Sequence, residues 1–376
     1  MEHLRNDWSE FLDYAKDFID EPFVMLDIGC SGGINRIFKN FGEKIIYYGF
    51  DFVEDEIKRL NKSNNQNNFN YIEAYIDCGK RDKSKNYKGK LTPSFPKTSA
   101  AEAQKIVFKG KESFNELMEA NLYTDFKKSK NTINISEFLL KNNVDYVDFL
   151  KSDIDGYDLD FIKTIKTNLI SSQILALIVE VGFADDYNDE SDMTNLLKQY
   201  GFGLNLLSTR QYTSKFLPDL FEITIPAQTC TGRIIQGDAL YIKDFAYYKR
   251  FSAQKLLKLS IILDLFNLTD QAAQIFNEYG SKIKETGIDV KKSLNLMVKQ
   301  RKFIEGISYK EFINKFYKNQ NLFYLHNQHK IKNNLIPKQK SNELYFYANN
   351  LFRKIKFFKK IKNKFKYLRT IKNYKK

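Results

Sequence analysis

The residues of this sequence best suited to chemistry are acidic side chains and one lysine standing where apolar runs turn polar. Asp27 lies at the end of the run Val24-Met-Leu-Asp-Ile28, and Asp51 follows Ile45-Ile-Tyr-Tyr-Gly-Phe50. Lys151, Asp153 and Asp155 are spaced by two, so an extended strand would point all three to one face. Glu180 sits near the end of a further apolar run, Ile174 to Val181. Carboxylates gathered at strand ends can take a proton, hold hydroxyl groups or bind a hard cation such as Mg2+. Histidine offers little competition: His3, His326 and His329 are the only three, and none falls on a core strand end. The candidate catalytic residues are therefore Asp153, Glu180 and Lys151. Asp153 and Asp155 are the candidate ligands if Mg2+ takes part.

The turn after the first run, Asp27-Ile-Gly-Cys-Ser-Gly-Gly33, carries the signature of a ligand cradle. Glycines let the chain turn sharply and bring backbone N–H groups close to a ligand. Asp51 follows at about the separation at which a carboxylate meets two ribose hydroxyls. That spacing alone suits a nicotinamide cofactor as well as S-adenosylmethionine. The turn departs from GxGxxG, however, and a carboxylate at Asp27 would repel a pyrophosphate while suiting an ammonium and a sulfonium. The candidate cofactor-binding residues are Asp27, Gly29, Cys30, Ser31, Gly33, Asp51, Asp77 and Asp153.

These residues need a scaffold that brings strand ends to one edge, and the apolar pattern supplies it. Strands are expected at 24–28, 45–50, 71–76, 146–152, 174–181, 204–208 and 233–242. Helices are expected between them at 34–41, 54–60, 136–141, 158–167 and 193–200, after a leading helix from Trp8 to Ile19. Strands alternating with helices predict an α/β fold with a mostly parallel sheet covered on both faces. Two stretches break the pattern, 79–131 with one helical portion near 100–117, and 209–231. Both read as loops over the site. After residue 242 the periodicity is helical only, at 253–266, 270–283, 293–303 and from the capping-box quartet Ser308-Tyr-Lys-Glu311 onward.

Several of these segments together resemble the FkbM family of S-adenosylmethionine-dependent O-methyltransferases. They are Val24 to Gly33, Gly49-Phe-Asp51, Ile135-Ser-Glu-Phe138, Asp148-Phe-Leu-Lys-Ser-Asp-Ile-Asp-Gly-Tyr-Asp158 and Val179-Glu180. The resemblance spans roughly residues 21–243, and the lysine-aspartate-glycine motif ending at Gly156 is its most distinctive part. It implies a Rossmann-like, seven-stranded class I methyltransferase sheet with Asp27, Gly29, Gly33 and Asp51 around the cofactor. The sequence departs from the family pattern at Cys30-Ser31, at Asp51-Phe52, and at Asp155 and Asp158, where aspartate replaces glutamate. The expected organisation is a methyltransferase domain at 1–245, a helical extension at 246–335 and a basic tail at 336–376.

Charge and composition limit the partners. The formal charge is +14, yet residues 351–376 hold 12 Lys and Arg and no acidic residue, which leaves the first 350 residues at +2. In that tail Leu351, Ile355, Phe358, Ile361, Phe365 and Leu368 share one broad helical face, a pattern suited to an anionic membrane surface. Cys30, Cys78 and Cys230 have neither disulfide-framework nor zinc spacing. The polar start lacks a signal-peptide apolar stretch, and no run nears the ~18 apolar residues of a spanning helix. The expectation is a cytoplasmic protein, peripheral at the inner membrane face, that methylates a sugar hydroxyl on a glycan or lipid-linked acceptor during cell-surface polysaccharide assembly. Two rival readings are a nucleic-acid methyltransferase anchored by the tail, disfavoured because no Asn-Pro-Pro-Tyr-like or Pro-Cys motif follows Ser152, and a catalytically silent binding protein of the same fold.

Overall fold

The computed structural model describes residues 9–79, 131–154, 156–170, 174–183, 188–212, 233–299, 309–318 and 320. The helical portion near 100–117, Asp155, Cys230, the three histidines, the quartet's Ser308 and the basic tail lie outside the described residues.

The elements run α1 (Glu10–Ala15), β1 (Phe23–Ile28), α2 (Arg36–Lys39), β2 (Ile45–Asp51), α3 (Glu54–Ser63), β3 (Phe69–Glu73), β4 (Tyr75–Ile76), β5 (Thr132–Ile133) and α4 (Ile135–Lys141). They continue with β6 (Val147–Ser152), α5 (Asp158–Thr164), α6 (Lys166–Ile170), β7 (Ile174–Gly182), α7 (Glu190–Gln199), β8 (Phe202–Tyr212) and β9 (Arg233–Lys243). Helices α8 (Ala253–Leu265), α9 (Thr269–Ile283), α10 (Val290–Lys299) and α11 (Tyr309–Lys318) follow. Two compact units are present, Met1–Val298 and Lys299–Lys376, and α11 belongs to the second.

Seven strands form one sheet in the order β3-β2-β1-β6-β7-β9-β8. β1, β2, β3, β6 and β7 pair in parallel, while β9 is antiparallel to both β7 and β8. The expected seven-stranded, mostly parallel α/β sheet is therefore present. All six residues of β1 and all nine of β7 are buried, because helices cover both faces of these central strands. Alternation sorts the side chains. Phe23, Met25, Tyr47, Phe149 and Ile178 pack with α1 and α8, while Val24, Leu26, Leu150, Leu177 and Val179 pack with α4, α5 and α7.

The structure corrects three expectations. The strand predicted at 71–76 divides at Ala74: β3 ends where β2 ends, and Tyr75–Ile76 instead pair with Thr132–Ile133 in a separate two-stranded sheet. The helix predicted at 158–167 breaks at Ile165, whose backbone leaves helical geometry. Residues 209–212, expected as loop, extend β8, because β9 is long enough to pair with them. Helix α8, in the first unit, packs against the sheet. Leu256, Leu259 and Leu263 of α8 share the core with Phe149 and Leu240 of the sheet, so that unit runs to Val298.

A buried ion pair fixes α8 at the amino end of the sheet. Lys258 Nζ donates to Asp148 Oδ2 at 3.1 Å and to the Pro22 carbonyl at 2.8 Å, and it lies 4.3 Å from the centre of the Tyr146 ring. Asp148 Oδ2 also accepts from the Val24 N–H at 2.8 Å. Burial raises the Asp148 carboxyl to about 6 against the pull of Lys258. Asp148 thus belongs to the framework, at the end of the strands opposite Asp153.

Candidate functional site

The register of the parallel strands sets the site. Asp27 stands opposite Gly49 on one side and Lys151 on the other, and Lys151 stands opposite Ile178. Ser152 pairs with Val179, so Asp153 comes level with Glu180, which pairs with Asp238 of β9. Residues level across a sheet point to the same face. Asp51, Asp153, Glu180 and Asp238 therefore form a row along the carboxyl edge, two residues beyond the level of Asp27 and Lys151.

Beneath the glycine turn, Asp27 is 2% exposed and both its oxygens are engaged. Lys151 Nζ donates to Oδ1 at 3.0 Å and the Tyr47 hydroxyl donates to Oδ2 at 2.9 Å. Burial raises the Asp27 carboxyl, and Lys151 and Tyr47 pull against it. The Tyr47 ring reaches Asp27 across Gly49, where an added Cβ would come within 2.7 Å of it. Asp27 is thereby held beneath the turn by Tyr47 and Lys151.

Gly29, Gly32 and Gly33 all have positive φ. At Gly29 a second constraint acts, since a Cβ would stand 2.0 Å from the Asp153 carbonyl oxygen. The Gly29 and Cys30 N–H groups both donate to the Phe50 carbonyl, at 2.9 and 3.0 Å. Cys30 is buried, and burial, with Asp27 and Asp51 adding, holds its thiol above the ordinary value, so its side chain is an inert part of the wall. Ser31 and Gly32 are exposed at the tip, and the Gly32 N–H donates to Glu56 at 2.9 Å. Asp51 is mostly buried and accepts the Val53 N–H at 2.9 Å, which fixes the chain entering α3; burial raises its carboxyl. Asp77 accepts from the Gly79 N–H at 2.9 Å and from Asn134 Nδ2 at 3.4 Å, beside the two-stranded sheet rather than in the row.

Lys151 joins the turn to the end of β6. Besides Asp27 it donates to the Gly29 carbonyl at 3.0 Å and lies 3.6 Å from Asp153 Oδ2. Burial pulls this lysine down, but Asp27 and Asp153 outweigh it and hold it above its ordinary value. A fixed ammonium of this kind is poorly placed to act as an acid or base. The Asp153 side chain is 45% exposed and open to a ligand. Asp158 anchors the turn that follows, accepting from Ser152 Oγ and from Asn188 Nδ2 at 2.7 Å, and burial raises it to about 6.

At the far end of the row, Glu180 Oε1 accepts from Arg210 at 2.7 Å and from Gln236 at 2.9 Å, and Arg210 also reaches Asp238 at 2.6 Å. Burial, reinforced by Asp158 and Asp153 and opposed by Arg210, pushes Glu180 up to about 8. Among the described residues, no group of three or more His, Cys, Asp or Glu side chains could hold a metal ion. Lys151 supplies the positive charge beside Asp153; of the two candidate Mg2+ ligands, Asp155 lies outside the described residues.

Residues 35–204 match the family model described as the methyltransferase FkbM domain. The match is shorter than the resemblance over 21–243 and begins after the glycine turn. No curated protein matches the chain. Solved structures with a similar course include magnesium protoporphyrin IX methyltransferase from Synechocystis PCC 6803 with bound SAM, at 10% identity over 62% of this chain and 78% of that one, TM-score 0.27. Another is precorrin-6y C5,15-methyltransferase from Geobacter metallireducens GS-15, at 9% identity over 65% and 94%, TM-score 0.29. Such scores bear on neither fold nor substrate.

Two consequences can be measured. Gly32→Ala meets open space and pays only the left-handed backbone cost of about 1–2 kcal/mol. Gly29→Ala adds a collision with Asp153, so chemical denaturation should show it to be clearly the less stable variant; equal losses would contradict the geometry. The second concerns pH. Glu180 binds its proton more tightly folded, near 8, than at its ordinary 4.5. Its contribution to stability is thus present below about 4.5 and lost as pH rises through about 8. Glu180→Gln should flatten the fall in unfolding free energy across that window, and an unchanged slope would exclude this assignment.

Proposed function

We propose that this chain, whose residues 35–204 match the methyltransferase FkbM domain, transfers a methyl group from S-adenosylmethionine to a sugar hydroxyl during cell-surface polysaccharide assembly. The observation carrying the reading is the row at the carboxyl edge, with the glycine turn and Asp51 at one end and Asp153 and Glu180 at the other. The residues fit the donor. Gly29 to Gly33 form a turn whose tip is open at Gly32, and Asp51 stands at the end of β2 where a ribose would lie. Asp27, Asp51 and Asp153 against the single Lys151 give an acidic surrounding that suits a sulfonium and an ammonium.

Bound S-adenosylmethionine supplies an electrophilic methyl group whose departure leaves a neutral thioether. The protein's own task is to align an acceptor hydroxyl and receive its proton. Asp153 is the exposed carboxylate nearest the turn and takes that proton. Glu180, one strand further, holds a neighbouring hydroxyl while Arg210 and Gln236 fix its orientation. A row this rich in carboxylates repels a phosphodiester and accepts a neutral polyol, which favours a sugar over nucleic acid. The basic segment 351–376 suits an anionic membrane surface, where lipid-linked sugars are built. Among the described residues no helix is long and apolar enough to cross a membrane. Flotation with anionic vesicles, lost when that segment is removed, checks the peripheral placement.

The central test is mass spectrometry of surface glycans from cells with and without the protein, in which one methyl group should be missing from the second. Extracts of the unmethylated glycan then serve as acceptor. Asp153→Asn should slow transfer about 100-fold or more while leaving donor affinity within a few-fold. Identical glycans in the two strains, or an unimpaired variant, would overturn the reading.

A further inference from the structure

Lys151 occupies a position that neither a catalytic base nor a surface ion pair would occupy. Its ammonium donates to two acceptors on the β1 side, Asp27 Oδ1 and the Gly29 carbonyl, each at 3.0 Å, and forms an ion pair with Asp153 Oδ2 beyond β6 at 3.6 Å. The side chain is 13% exposed, and the side chain of its partner Asp27 is 3% exposed. The turn is pressed against β6 from the other side as well. The Asp153 N–H donates to the Ile28 carbonyl at 2.9 Å, and the Asp153 carbonyl fills the space where Gly29 would carry a Cβ.

We propose that Lys151 is the positioning residue of the cofactor turn, locking the Gly29 carbonyl and the Asp27 carboxylate to the end of β6 so that the donor pocket and Asp153 form one rigid unit. The inference rests on the reading of the site as an S-adenosylmethionine pocket. Two features single out lysine for the task. An ammonium directs donors in three directions from a compact centre, whereas the planar guanidinium fork of arginine matches a single flat acceptor pair. The charge also neutralises Asp27, which the Tyr47 hydroxyl alone would leave as a buried carboxylate without a cation. Burial lowers and the two carboxylates raise the lysine, with the carboxylates prevailing, so it remains a cation while it serves this role.

Titration calorimetry with S-adenosylhomocysteine separates this role from a merely structural one. Lys151→Met should weaken binding by about 30-fold, as expected when a charged, hydrogen-bonded partner is removed from a buried site. Because that variant strands Asp27, the decisive protein is the double variant Asp27→Asn with Lys151→Met, which removes both charges together. Its thermal midpoint should return close to that of the wild type while its affinity stays about as weak as that of Lys151→Met. Lys151→Arg should recover only part of the affinity. If the double variant is stable and binds as tightly as the wild type, Lys151 merely balances a charge and the proposal fails. If the wild-type chain itself shows no affinity, the donor reading fails with it, an outcome distinct from the first.

Discussion

A single ammonium held between two parallel strands governs the site. Lys151 and Asp27 are directly opposite in the register of β6 and β1, and their contact is possible because both point to the same face of the sheet. The residues beyond that contact are placed relative to it. The glycine turn begins two residues after Asp27, and Asp153 stands two residues after Lys151. Fixing the lower pair fixes the upper one, because successive residues on one face of a strand stay in step.

Along the rest of the edge, charge is managed by burial and pairing in different proportions. Asp27 is neutralised by a cation and a hydroxyl, Asp51 spends one oxygen on the backbone, and Glu180 shares Arg210 with Asp238. Asp153 is the exception, half open to its surroundings and flanked by Lys151. The contrast sets Asp153, the open carboxylate, apart from those held by their neighbours. At the opposite end of the sheet, Asp148 and Lys258 show the same chemistry used only for architecture.

Much of this was legible in the residues. Alternating apolar runs announced the α/β sheet, and the glycines after Asp27 announced a sharp turn out of β1. The spacing of Lys151 and Asp153 by two placed them on one face. What escaped the reading depends on contacts between distant segments. Tyr47 looks like one more core aromatic until Gly49 is seen to leave room for its ring to reach Asp27. Arg210 lay at the start of a stretch read as loop, yet β9 captures it into β8 and delivers it to Glu180. Lys258 falls in an apolar helix where nothing local indicates that Asp148, 110 residues earlier, awaits it. The break of the predicted strand at Ala74 likewise reflects the end of β2, which offers no further partner.

The account's central claim is that the turn after β1 and the row from Asp51 to Asp153 enclose one donor pocket. A crystal structure of the chain grown with S-adenosylhomocysteine tests it most directly. The account predicts the ribose hydroxyls about 3 Å from the Asp51 carboxylate, with the thioether sulfur on the Asp153 side of the Gly29 turn. A ligand seated elsewhere, leaving Asp51 and the glycine turn untouched, would contradict it.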